Sequence, residues 1–247
     1  MVVGLWPDLT SQISDLRSQI SNLKKVSLII AIDGPSGSGK STLGRLLARE
    51  LKLLYVDTGS MYRAVALAIL RAEIDPNDVQ RVVSVAENLD IDLEGDPDSL
   101  KVLLNGCEVT DVIRSEEVTA VSSVISTIPG VRRAMVARQR EIAKRGAVLN
   151  GRDIGTVVFP NAEVKFFLTA VPDERARRRY TECREVDSAV EYDEVLADMT
   201  ERDRRDSTRA DSPLRIADDA IVIESTGKSI DSVFDEMMEA IRQRAKR

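Results

Sequence analysis

Gly34-Pro35-Ser36-Gly37-Ser38-Gly39-Lys40-Ser41 matches GxxxxGK[ST] in full, and its flanks give the match a structural meaning. Before it runs Leu28-Ile29-Ile30-Ala31-Ile32, apolar on successive residues as in a strand buried on both faces. After it comes a helical stretch from about Ser41 to Leu51. A glycine-rich turn between a buried strand and a helix N-terminus can aim main-chain amides at one phosphate, with the positive end of the helix dipole behind them. In that arrangement Lys40, in a solvent-facing loop, reaches the β- and γ-phosphates of a nucleotide, and the Ser41 hydroxyl takes a Mg2+ position. A chance lysine in an ordinary strand–helix turn is the plain alternative, and the two flanking elements argue against it.

Short buried runs of the same kind recur at residues 53–56, 147–150, 164–168 and 220–223, each followed by a helical pattern. Five such units predict an α/β fold whose five-stranded parallel sheet is covered on both faces. Two stretches break the alternation. In the first, Leu100, Val102 and Leu104 alternate up to Asn105-Gly106, and Cys107 and Val109 resume beyond, which predicts an antiparallel β-hairpin. The second, residues 173–211, is dense in both signs of charge and reads as two solvated helices, about 172–184 and 189–205. Residues 1–25 differ again: Leu9, Ile13, Leu16, Ile20 and Leu23 make two heptads of an apolar seam. Two heptads are short for a stable coiled coil, so the expectation is an appendage on a monomer, with self-association through residues 9–23 as the alternative.

Composition removes whole classes of chemistry. Histidine is absent, which excludes imidazole bases, Ser-His triads and His-ligated metals. Cys107 and Cys183 lie far apart in unlike contexts, giving neither a disulfide framework nor metal-ligand spacing, and the expected compartment is the reducing cytoplasm. A net charge of −6 speaks against a nucleic-acid polymer as partner. The apolar run at 28–32 falls far short of the roughly 20 residues of a membrane helix, and no signal-peptide pattern opens the chain, so no membrane partner is expected.

A phosphate-binding loop does not say what becomes of the phosphate. No guanine-reading NKxD occurs, and no apolar strand ends in Asp-Asp or Asp-Glu as a motor ATPase would want. Instead arginines stand at several strand and helix ends, as needed to hold two phosphorylated substrates nose to nose. Three clusters follow in order: Asp57-Thr58-Gly59-Ser60-Met61-Tyr62-Arg63 after the second strand, Gly151-Arg152-Asp153-Ile154-Gly155-Thr156 after the third, and Glu201-Arg202-Asp203-Arg204-Arg205-Asp206 with Arg209 in the charged stretch. With these the sequence resembles the bacterial cytidylate kinases, P-loop nucleoside monophosphate kinases that make CDP from CMP and ATP. The resemblance covers about residue 27 to the C-terminus.

The resemblance implies ATP on Gly34, Pro35, Ser36, Gly37, Ser38, Gly39, Lys40, Ser41 and Thr42, with Mg2+ as cofactor. It implies CMP or dCMP on Asp57, Arg63, Ser123, Arg132, Arg152, Asp153, Arg202, Asp206 and Arg209. Within that set Arg63, Arg152 and Arg209 grip the acceptor phosphate, Ser123, Arg132 and Asp153 read cytosine, and Arg202 and Asp206 meet the ribose. Lys40, Arg152, Arg205 and Arg209 are the implied catalytic residues, Arg205 acting from a mobile lid. The implied plan is a kinase domain over 26–247, with a core of 26–72, 130–171 and 212–247, an acceptor-binding insert at about 73–129, and a helical lid at about 172–211. One departure stands out: Asn150 occupies a position where the family usually has Asp or Glu, and it adds no negative charge near the metal site.

Taken singly, several of these residues have plainer readings. Arg132 reads as a surface arginine on an amphipathic helix over 131–144, Arg152 and Asp153 as an ion pair at a strand end, and Arg175 to Arg179 as a solvated lid face. A kinase of another small acceptor such as shikimate, gluconate or UMP stays open from the residues alone, as does a non-catalytic P-loop switch.

Overall fold

A computed structural model describes residues 28–186 and 189–245; the heptad segment 1–25 lies outside the described residues. The chain runs β1 (Ile29–Asp33), α1 (Lys40–Leu51), β2 (Leu54–Asp57), α2 (Thr58–Arg71), α3 (Val79–Asn88), β3 (Ile91–Glu94), β4 (Lys101–Leu104), β5 (Cys107–Glu108), α4 (Glu116–Ile125) and α5 (Pro129–Ile142). It continues through β6 (Ala147–Gly151), β7 (Val164–Thr169), α6 (Pro172–Val186), α7 (Tyr192–Thr208), β8 (Ile221–Glu224) and α8 (Ile230–Ala245).

The five expected strands form one parallel sheet in the order β2-β6-β1-β7-β8. β1 is buried at every position because both its faces are covered: Ile29 and Ala31 enter one core, Ile30 and Ile32 the other. The second core takes Leu43 and Leu47 of α1 and Val233, Met237 and Ile241 of α8. Each fully buried side chain of this size contributes about 1.5–3 kcal/mol. With β1 at the centre and β2 and β7 reached in opposite directions from it, the strand order reverses there. A crevice therefore opens beyond the carboxyl ends of β1, β6 and β2.

Two elements depart from the expectation. β6 is followed by a single π-helical turn, Ile154–Val158, rather than a helix. Its first amides are held by the Asp33 carboxylate, and its last carbonyls, those of Val157 and Val158, accept from Arg140. The hairpin has a third strand: β3 pairs antiparallel with β4, and β4 with β5. The Asn105-Gly106 turn behaves as its sequence requires, with φ of 50° and 76° at its two central residues. Residues 73–129 have no separate interior. Val82, Ile91, Val102, Ile113 and Ile125 share one core with Ile29, Val56 and Leu149 of the main sheet. α6 and α7 by contrast meet through a small cluster of their own, Ala176, Val195 and Met199.

Candidate active site

The loop after β1 folds tightly against β7. Gly34 has φ 148°, and a Cβ there would stand 2.0 Å from the Leu168 carbonyl oxygen, so no other residue fits. α1 starts from Gly39 with no side-chain cap and no acidic residue in its first turn, which leaves the first amides and the positive dipole end directed at the crevice. Ser38 Oγ donates to the Pro35 carbonyl at 2.9 Å. Lys40 is not solvent-facing as its loop position suggested. It is buried, and Nζ donates to the Pro35 carbonyl at 2.5 Å and to Ser38 Oγ at 3.3 Å. Burial first, and then the positive charges of Arg152 and Arg202, push the Lys40 ammonium well below its ordinary pKa. Thr42, in the first turn of α1, is exposed.

Across the crevice the second and third clusters meet α5, α6 and α7. At the end of β2, Asp57 accepts from Ser60 Oγ at 2.6 Å and from Arg63 Nη2 at 3.2 Å. Burial alone would raise that carboxyl, but the Arg63 guanidinium and the Ser60 hydroxyl outweigh it, and its pKa is lowered. Arg132 is only 3% exposed, not a surface residue. Its Nη2 pairs closely with Asp153 Oδ2, its Nη1 donates to the Ser126 carbonyl at 3.2 Å, and its guanidinium lies 5.7 Å from the Tyr62 ring centroid. The reason is topological: α5 packs its N-terminal half against the main core, which carries Arg132 toward the end of β6. Arg152 pairs with Asp206 at 2.7 Å and not with its neighbour Asp153. Arg209 stands 3.7 Å from Asp153 Oδ1 and 3.5 Å from Asp206 Oδ1, so the chain Arg132–Asp153–Arg209–Asp206–Arg152 is continuous. Arg205 Nη1 donates to Ser123 Oγ at 2.7 Å, tying α7 to α4.

In this region cations outnumber carboxylates. Burial and then the Arg152 charge lower Arg202 to about 10, and burial and then Arg132 lower Arg209. Buried like charges held this close are unfavourable by themselves and become favourable around an anion. The Nε atoms of Arg63 and Arg132 are buried donors without a hydrogen-bond partner, while Arg205 Nε and Arg209 Nη2 meet only the ion-pair carboxylates of Glu201 at 3.3 Å and Asp153 at 3.7 Å. The arrangement suits a polyanion lying between the α1 N-terminus and these guanidiniums.

Three groups at the site were not singled out in the sequence. Arg175, expected on a wet face, is buried and donates to the Ser36 carbonyl at 2.9 Å, the Ala170 carbonyl at 3.0 Å and Asp203 at 2.6 Å. Asp203 in turn accepts from the Ser36 amide at 3.4 Å, so α6 and α7 together hold the tip of the phosphate loop. Asp33 is the third. The signal for Asp203 and Asp33 was adjacency to motif residues. Arg175 had none, because one arginine in a charge-dense helix looks like the next.

The residues present fit Mg2+ of the kind carried in on phosphate oxygens. Ser41 Oγ accepts from Asn150 Nδ2 at 3.0 Å, and the buried Asn150 Oδ1 has no partner. A hydroxyl and a free amide oxygen are hard ligands able to hold the ion or its water. Among the described residues no group of three or more carboxylate, thiol or imidazole ligands could cage a metal alone. No described helix is long and apolar enough to cross a membrane.

The family model described as cytidylate kinase matches residues 30–243. The chain is 49% identical over 228 residues to the cytidylate kinase of Solibacter usitatus, covering 91% of this chain and 97% of that one. It is 47% identical over 218 residues to the cytidylate kinase of Caldanaerobacter subterraneus subsp. tengcongensis, covering 88% and 96%.

Proposed function

The chain belongs to the cytidylate kinase family, and we propose that it transfers the γ-phosphoryl group of ATP to CMP, and to dCMP, releasing ADP with CDP or dCDP. The observation that carries this reading is the set of buried cations between the uncapped α1 N-terminus and the Arg132–Asp153 pair. That is a place for two phosphate chains end to end, with a group that can read a base edge beyond the second. ATP lies on residues 34–42, and CMP on the residues the second and third clusters bring together.

A CMP phosphate is already an anionic nucleophile, so no base is required and the absence of histidine is no handicap. Catalysis then rests on alignment and on charge. Lys40 and the α1 amides take the donor phosphates, while Arg63, Arg152 and Arg209 hold the acceptor phosphate in line. Mg2+ at Ser41 and Asn150 neutralises donor charge when bound. The lid, residues 172–211, excludes water that would otherwise accept the phosphoryl group. The insert at 73–129 supplies Ser123, and the protein acts as a cytoplasmic monomer. ADP release measured with CMP, dCMP, UMP, AMP and shikimate tests the reading. Turnover should require CMP or dCMP; slow turnover indifferent to acceptor would mark a P-loop switch instead.

Two further outcomes are expected. Arg205 bridges the lid to the insert, so Arg205→Ala should lower kcat by roughly tenfold to a hundredfold, about 1.4–2.7 kcal/mol, with little change in ATP affinity measured without acceptor. Arg205→Lys should restore part of this only, since a point charge cannot replace the planar fork. An equal loss in ATP affinity would contradict the role. Removing residues 1–25 should leave kcat/KM for both substrates within roughly twofold, because two short heptads contribute little stability of their own. Loss of activity in the shortened chain would place those residues in the kinase domain, and sedimentation of both forms would test the self-association alternative.

A further inference from the structure

Asp33 is the last residue of β1, joined covalently to Gly34, the first residue of the phosphate loop. Its side chain is 4% exposed. Oδ1 accepts the Ile154 amide at 2.8 Å and Oδ2 the Gly155 amide at 2.7 Å, so both oxygens are taken up by main chain. Its own main chain is in register with Gly151, where the β1–β6 ladder ends. The two residues between the ladder's last pair and the clamped amides are Arg152 and Asp153. One residue thus holds that dipeptide at both ends, by backbone at Gly151 and by side chain at Ile154 and Gly155.

We infer that Asp33 is a positioning residue that fixes Arg152 and Asp153, and with them the acceptor phosphate and base, against the phosphate loop that carries the donor. The inference rests on the proposed CMP kinase reading and adds to it a residue that touches neither substrate. Asp33 joins the donor loop to the base-reading loop through a short path, alongside the Asn150–Ser41 hydrogen bond. The path is one peptide bond on one side and two hydrogen bonds on the other. In-line transfer is sensitive to such spacing, since a shift of about 1 Å between reacting groups can cost on the order of a hundredfold in rate. The carboxylate is kept there against a penalty: burial, only partly offset by the two amides, pushes its pKa up to about 6. Expensive buried carboxylates are commoner where function needs them than where packing alone does.

Asp33→Asn in the full chain tests this. The amide keeps the size but aims an NH2 at one of the two N–H donors, so the Arg152-Asp153 loop should slacken. We expect kcat with CMP to fall roughly tenfold or more and the CMP-over-UMP ratio in kcat/KM to fall about tenfold. Affinity for ATP without acceptor should stay within roughly threefold. Amide hydrogen exchange should quicken at Ile154 and Gly155 while Ile30 and Ala31 stay protected. If Asp33→Asn does not fold, Asp33→Ser, which aims no donor at the two amides, carries the same measurements. An unchanged CMP-over-UMP ratio in a folded variant whose Ile154 and Gly155 amides have lost protection would overturn the inference. So would a loss shared equally by CMP, UMP and ATP, which would confine Asp33 to the phosphate loop. Failure of the underlying reading looks different, because the wild type itself would then show no CMP-dependent ADP release.

Discussion

Lys40→Ala should abolish measurable turnover, lowering kcat at least about a hundredfold, or roughly 3 kcal/mol of transition-state stabilisation, while the folded structure survives. Both halves follow from where the side chain lies. Its ammonium is buried beside Arg152 and Arg202, and burial followed by those two charges holds its pKa well below the ordinary lysine value. In the unliganded protein that cation is a net cost, offset only in part by its hydrogen bonds to Pro35 and Ser38. Its removal should therefore leave Tm unchanged or raise it, because the cost of burying the ammonium goes with it. With ATP bound the sign reverses, since the phosphate charge offsets that of the buried ammonium. Thermal stabilisation by ATP should be largely lost in the variant. Retention of more than half of the wild-type kcat would remove the assignment of the loop as the donor site, whatever the Tm.

Asp153→Asn should compress the discrimination between pyrimidines. Cytosine offers acceptors at O2 and N3 and a donor at N4; uracil has a donor at N3 and an acceptor at O4. Arg132 brings only donors, one of them a buried Nε without a partner, and ionised Asp153 brings only acceptors. CMP is matched at each position and UMP opposed at two, and a buried mismatch costs on the order of 1–3 kcal/mol. An asparagine can turn its NH2 toward O4, so UMP should gain while CMP loses a charge-assisted bond, and the ratio should fall by roughly tenfold or more. The substitution also leaves Arg132, 3% exposed, facing a neutral partner, so a lower Tm is expected. A ratio taken on one preparation cancels the amount of folded enzyme, and that makes it the readout to use. If it does not move, Asp153 does not read the base.

Much of this was legible in the sequence because the signals were local. The five strands are contiguous apolar runs, and the hairpin turn is set by Asn105 and Gly106, whose φ values are those the dipeptide prefers. β3 was missed although Ile91, Asp92, Leu93 and Glu94 alternate cleanly; four residues of alternation also fit a loop until β4 is seen beside them. The π-turn after β6 was unreadable, because its cause is a carboxylate more than a hundred residues upstream. The same holds for arginines. Arg132 and Arg175 sit on helices whose other arginines, such as Arg133 and Arg177, are exposed, and their burial is decided by Asp153 and by Asp203 with Ser36, all distant in sequence. Spacing along a helix reports which side chains share a face, not what the rest of the chain places against it. For Lys40 the motif gave the role but not the burial, and the burial is what makes its charge useful.

Phosphoryl transfer to cytidine monophosphates, with the base read through Arg132 and Asp153, is what we propose for this site. Its most direct test is kcat/KM for CMP and for UMP on the wild-type enzyme at saturating ATP and Mg2+. A ratio of roughly a hundredfold or more in favour of CMP is the predicted result. A ratio near one would contradict it, leaving a phosphate site with no base specificity.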